Sequence, residues 1–156
     1  MKKDFLLSSG FLVLLAVLIG MVIFSPGAAE EITGTIIWDP YKIDLSLPAP
    51  GVVTAPIRFQ SGASYTVKDI NVSTLLLEGS IPPDNTYLIP GALVAEFDGE
   101  MVVSILWAKI YHMGTLAPPY KIYLTITGNL KDSAGGTSFS ATGDVKITVH
   151  HSPEPT

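Results

Sequence analysis

The chain has 156 residues, one domain's worth once a targeting segment is set aside. Nine Lys and Arg against fourteen Asp and Glu give a net charge of −5, and no basic stripe offsets it, which disfavours nucleic acid as a partner. Cysteine is absent, so a disulfide framework, thiolate catalysis and cysteine metal sites are excluded together.

The first 29 residues read as a leader. Lys2 and Lys3 form a positive start, residues 11–24 an apolar run, and "SPGAA" a small-residue exit. Gly27 and Ala29 fit the small-x-small rule of signal peptidase, so cleavage is expected between Ala29 and Glu30. Left uncut, residues 5–24 form an apolar stretch of about 20 residues, long enough to span a bilayer as an anchor. The paired lysines would then stay inside, with Glu30 and Glu31 outside. Both readings export the same domain and make it secreted or surface-held, and cleavage is the preferred one. Any membrane contact is expected through residues 5–24 alone. The expected organisation is a leader or anchor over 1–29, a folded domain over 30–150 and a tail over 151–156. Loss of Lys2, Lys3 and Asp4 leaves seven basic and thirteen acidic residues, a net charge of −6.

After the leader, "ITGTIIW" (32–38) alternates apolar and polar and stops at "DP", a turn signal. "YKIDLSL" puts Tyr41, Ile43, Leu45 and Leu47 on one face, and "PAPG" breaks it. "VVTAPIRF" points Val53, Ala55, Ile57 and Phe59 inward, and Pro56 suggests an edge strand, where no ladder hydrogen bond is lost. "YTVKDINVSTLLLEG" reads as a short strand, a bend and a second strand. "IPPDN" reads as a loop, and "ALVAEF" as another alternating run. In "DGEMVVSILWAKIYHM", Asp98 is a good N-cap, and Met101, Val102, Ile105, Leu106 and Ile110 fall near helical spacing. A short helix is expected there, although Met101, Val103, Ile105 and Trp107 fit a strand nearly as well.

The C-terminal stretch "LTITGNLKDSAGGTSFSATGDVKITV" has the most regular alternation in the chain. With Tyr120 added, Tyr120, Ile122, Leu124, Ile126, Gly128 and Leu130 share one strand face. Phe139, Ala141, Gly143, Val145, Ile147 and Val149 share one face of the next. Such period-2 runs imply one buried and one wet face. The expected fold is all-β: an immunoglobulin-like antiparallel β-sandwich of about seven strands with one short helix, preceded by the leader helix.

"DINVSTLLLEGSIPP", "LVAEFD" and "LTITGNLKD…TSFSATGDVKI", with "WDPYKIDLSLPAPGVVTAPIRF" upstream, resemble a recurrent immunoglobulin-like module of secreted archaeal and bacterial proteins. The resemblance covers roughly residues 32–149 and rests on structural motifs, so it implies a sandwich fold and an extracellular setting without naming a ligand. Two departures stand out. The Asp-rich loop that would suit calcium in such modules is here "DNTYLIPGALVAEFDGE", without alternating carboxylates. The tight "DGT" hairpin turn is lengthened to "DSAGGT".

Chemistry-bearing residues are sparse. Glu96, Asp98 and Glu100 could offer oxygens to calcium, but too few stand at fixed offsets. His112, His150 and His151 lack a third ligand placed by spacing. No nucleophile elbow or triad order is present, so no catalytic residue, metal site or cofactor is expected. Asn71-Val72-Ser73 is an N-glycosylation sequon, with Asn71 the candidate acceptor. Of the aromatics, Trp38 and Tyr120 fall on inward faces. Trp107 is the second Trp, and Tyr111 and Tyr123 are the ones placed to meet a ligand. The outward Thr125, Thr127, Ser138, Ser140 and Thr142 suit a wet sheet face or a contact between subunits. The expected function is a non-catalytic exported structural or adhesive module that assembles with itself or other surface proteins, with the N-terminal strand "ITGTIIW" completing a neighbour's sheet by β-strand addition. The alternative is a binding module for carbohydrate or another surface ligand.

Overall fold

The computed structural model describes residues 32–61, 63–113 and 120–149, all within one compact unit, Glu31–Thr156. The leader, its cleavage candidates Ala29 and Glu30, and the dihistidine His150–His151 lie outside the described residues.

Among the described residues, the domain has eight strands and one α-helix. In chain order they are β1 (Ile32–Ile36), β2 (Lys42–Asp44), β3 (Val52–Phe59), β4 (Ile70–Leu77), β5 (Asn85–Ile89), β6 (Ala92–Asp98), α1 (Gly99–Met113), β7 (Tyr120–Leu130) and β8 (Ser138–Thr148). The strands form one hydrogen-bonded sheet in the order β4-β7-β8-β1-β3-β6-β5, with β2 also on β8. The sheet is not wholly antiparallel: β1 and β2 both run parallel to β8. The other pairs are antiparallel.

Alternation explains the long hairpin. Ile122, Leu124, Ile126 and Leu130 of β7, with Phe139, Ala141, Val145 and Ile147 of β8, are buried as the period-2 pattern requires. On β3, Val53, Ala55 and Ile57 are fully buried. All join one apolar cluster that also takes in β4, β6 and two helical residues, Val102 and Leu106. β4, at one end of the sheet order, and β6, next to the other end, share that cluster, so the sheet curls around a single core in a barrel-like way. Among the described residues no polar or charged residue is buried as a whole. Of the buried polar atoms, the Trp38 Nε1–H is satisfied by the Gly143 carbonyl, while Thr148 Oγ1 has no hydrogen-bond partner.

Three sequence expectations are corrected. Pro56 does not mark an edge, because β3 lies between β1 and β6. Its missing N–H is accommodated by a gap. The β1 ladder runs from Gly34↔Phe59 to Ile36↔Ile57 and resumes in the same register only at Asp39↔Thr54. The short strand expected before β4 is instead a 3₁₀ turn, Val67–Asp69. The Asp69 carboxylate accepts from the Thr66 N–H at 2.8 Å and from its hydroxyl at 2.9 Å, fixing a turn where a strand would need extended pairing. Those two bonds also hold the Asp69 carboxyl below its ordinary value. Third, Tyr41 and Leu47 are exposed while Ile43 and Leu45 are buried, because β2 spans only three residues.

The helix forms as its N-cap predicts: the Met101 N–H donates to Asp98 Oδ1 at 3.0 Å. Its first residue, Gly99, has to be small, since an added Cβ would collide with the Pro50 carbonyl. The helix lies against β6 and β3, and Lys109 reaches Glu78, just past the end of β4, at 2.7 Å.

Candidate functional site

The sheet has two sides where it could close. On one, β1 carries it continuously from β8 to β3. On the other, between β4 and β5, it is open, and this seam is the candidate site.

β5 was not legible as a strand in the loop-like "IPPDNTYLIPG". Its signal was present in Thr86, Tyr87 and Ile89, which favour strands, followed by a two-residue connection to β6. Pro90 presets one turn position, and Gly91 sits at φ 76, as the second central residue of such a turn demands. β5 pairs with β6 from Asn85↔Glu96 to Ile89↔Ala92, and Asn85 Nδ2 donates to Glu96 Oε2 at 3.0 Å. It contributes no residue to the core: Tyr87, Leu88 and Ile89 are 42, 52 and 37% exposed. Leu88 lies opposite Leu93, a core residue, so it faces inward yet stands half in water.

β4 forms the facing edge. Its pairing with β7 is interrupted between Asn71 and Leu76. In that irregular stretch the Thr74 hydroxyl donates to the Asn71 carbonyl at 2.7 Å and accepts the Asn129 N–H at 2.8 Å. The Ser73 hydroxyl donates to Asn71 Oδ1 at 2.8 Å, so the sequon sits on an edge with its two polar side chains in contact. After Glu78 and Gly79, both at positive φ, the chain crosses through Pro82 and Pro83 to β5. A groove of about 310 Å³ follows this crossing, lined by Val72, Ser73, Leu75, the two prolines and the start of β5.

The expected acidic trio is dispersed among structural tasks. Asp98 caps α1 and Glu96 accepts from Asn85, and among the described residues no three His, Cys, Asp or Glu come together as metal ligands. His112 instead meets the Tyr111 ring edge-on, centroids 5.9 Å apart. Trp38 is buried as expected, Tyr120 is half-buried, and Tyr123 and Tyr111 are exposed at 61 and 85%. Trp107 is half-exposed one helical turn before Tyr111.

The wet face of β7 and β8 carries a second polar grouping that the sequence did not reveal. The Tyr41 hydroxyl donates to Asp144 Oδ2 at 2.9 Å, and Lys121 Nζ stands 3.6 Å from the same oxygen. The Tyr41 bond, followed by the Lys121 charge, holds the Asp144 carboxyl below its ordinary range, and the same carboxylate raises the Tyr41 phenol. Thr125 and Thr142, directly opposite, share a hydroxyl bond at 3.0 Å. This face is a solvated hydrogen-bonded surface.

The N-terminal strand occupies a central place: residues 32–36 are paired to β8 on one side and β3 on the other within the same chain. It is not a free strand in this arrangement; among the described residues, the two ends of the sheet order, β4 and β5, each have one edge that pairs with no strand. Compared with known proteins, the chain matches no family model, no curated protein and no solved structure. Among the described residues, no helix is long and apolar enough to cross a membrane.

Proposed function

We propose that this chain is a non-catalytic, exported structural or adhesive module, built on an immunoglobulin-like sandwich, that acts outside the cell by assembling with itself or other surface proteins. The observation that carries the reading is the strand order. Lettering β1, β3, β4, β5, β6, β7 and β8 as A to G gives C-F-G-A-B-E-D, the neighbours of a constant-type immunoglobulin sandwich with its A strand shared between sheets. One feature differs from antibody domains. The buried Trp comes from the link after β1, and with no cysteine the core has no disulfide to pack against.

The polar inventory supports a shape-holding role. Among the described residues, most side-chain oxygens cap turns, bridge strands or face water, and the core residues are apolar. The apolar leader supports export, either through a cleaved signal or with residues 5–24 retained as an anchor. On the exported domain, Asn71 on the β4 edge is the proposed glycan acceptor. Mass analysis of the peptide bearing Asn71, from a host that glycosylates exported chains, is expected to show a glycan that Ser73→Ala removes.

Fractionation of cells producing the full chain tests the main reading. Surface labelling should reach the domain on intact cells, and chemical cross-linking there should yield multimers. A chain retained inside the cell would reject it. A binding module for carbohydrate is the second reading, favoured by Trp107 and Tyr111, exposed one turn apart on α1. Trp fluorescence that shifts on glycan addition, and does so no longer in Tyr111→Ala, would select it.

A further inference from the structure

We propose that two copies of this chain join through the free edge of β5, antiparallel to each other about a two-fold axis at Tyr87. The inference rests on the reading of the chain as a self-assembling module and names its contact.

An unpaired strand edge is a template for another strand, and natural sheets guard such edges with lysine, proline, charge or irregular backbone. β5, "NTYLI", has none of these within its five residues. Its three apolar side chains are all more than a third exposed. Leu88 in particular faces the core side, and among the described residues no strand lies beyond β5 to cover it, so an added strand would complete its burial. The other edge is guarded. β4 breaks register between Asn71 and Leu76, turns the Thr74 hydroxyl onto its own backbone and carries the sequon.

Charge selects both the partner and the direction. The strand is neutral, so a second copy brings no repulsion to its centre, although the exported domain as a whole is acidic. The nearest acids, Asp84 and Glu96, lie at the Asn85 end. Parallel pairing would set Asp84 beside Asp84. Antiparallel pairing sends the two acidic ends apart, each toward the uncharged Ile89 and Pro90 of the other copy, and brings Thr86 opposite Leu88. The resulting contact is isologous, the commonest closed symmetry.

The natural absence of cysteine makes a direct test possible. Tyr87→Cys would place two thiols opposite each other at the axis. Opposed strand residues have Cα atoms about 4.5–5.5 Å apart, within disulfide reach. The full chain from an exporting host is purified, its native mass is measured, and it is then mildly oxidised. The proposal expects a dimeric native mass, a covalent dimer from Tyr87→Cys, none from Ser73→Cys on the β4 edge, and a fall to monomer mass in Leu88→Lys, whose melting matches that of the unsubstituted chain at dilutions where it too is monomeric. A dimer that cross-links through Ser73→Cys and survives Leu88→Lys would overturn the β5 assignment and leave self-assembly standing. A monomer at every concentration would overturn the β5 contact and self-assembly together.

Discussion

The closed seam at β1 and the open seam between β4 and β5 use the same kind of strand for opposite ends. At the closed seam the chain is packed until only glycine fits. The Trp38 indole donates to the Gly143 carbonyl at 3.1 Å, its ring lies 6.4 Å from Phe97, and a Cβ on Gly143 would run into the Ile36 carbonyl. A little farther along, Phe59 and Phe139 meet edge-on at 5.4 Å. At the open seam, β5 buries none of its side chains and β4 loses register. Continuity of backbone pairing therefore does not by itself define the fold. The tight side fixes the shape, and the loose side is available for a partner.

Substitutions at the two seams should separate these roles. Trp38→Ala removes the largest fully buried side chain and its hydrogen bond, and should destabilise the domain by about 3–5 kcal/mol in urea unfolding. A loss below about 1 kcal/mol would show that the closed seam is not the anchor of the fold. Gly143→Ala should cost about 1–3 kcal/mol by forcing β1 away from β8, read as a lower melting temperature. Glu78→Gln takes a charge from the Lys109 pair, which is about a quarter exposed, and should cost about 1 kcal/mol through looser docking of α1. Unchanged unfolding there would place the hold of the helix in its apolar contacts, Val102 and Leu106 foremost.

A pH series gives a subtler contrast. The Asp69 and Asp144 carboxyls are both held below the ordinary 3.8 in the folded state. Their contributions are therefore fully present above that value and lost as pH falls through the lower folded values. Stability should decline in acid, less steeply in Asp69→Asn and Asp144→Asn, and an unaltered acid profile in both would refute those bonds. The smallest stability effect is expected at the open seam. At dilutions where the chain is monomeric, Leu88→Lys should move unfolding by no more than about 0.5 kcal/mol, because half of that side chain is in water within one copy. A large loss would mean that β5 belongs to the core after all.

Legibility followed how much of each signal is local. The β7–β8 hairpin and β6 could be read because period 2 declares a buried face over many residues. The helix could be read from one carboxylate at its cap and apolar spacing behind it. β5 was hidden because four of its five residues are exposed and none is buried, and Pro82, Pro83, Pro90 and Gly91 around them read as loop. Pro56 misled for the complementary reason. Its cost depends on what lies alongside, and a gap in the neighbouring ladder removes it. The Tyr41–Asp144 bond joins residues 103 positions apart, a contact that no spacing rule could supply.

Taken alone, the sequence determined an apolar N-terminal stretch, an acidic cysteine-free remainder, an all-β pattern with one capped helix, and inward faces for most strands. These depend on composition and on neighbours two to four residues away. Only the tertiary structure decided that β1 and β2 run parallel to β8, that β3 is interior and that the sheet closes through Trp38 and Gly143. It also decided that β5 is left with one side unpaired. Strand order is a property of contacts between distant segments, set by which faces can share one apolar core, and that choice is made only when all the strands pack at once.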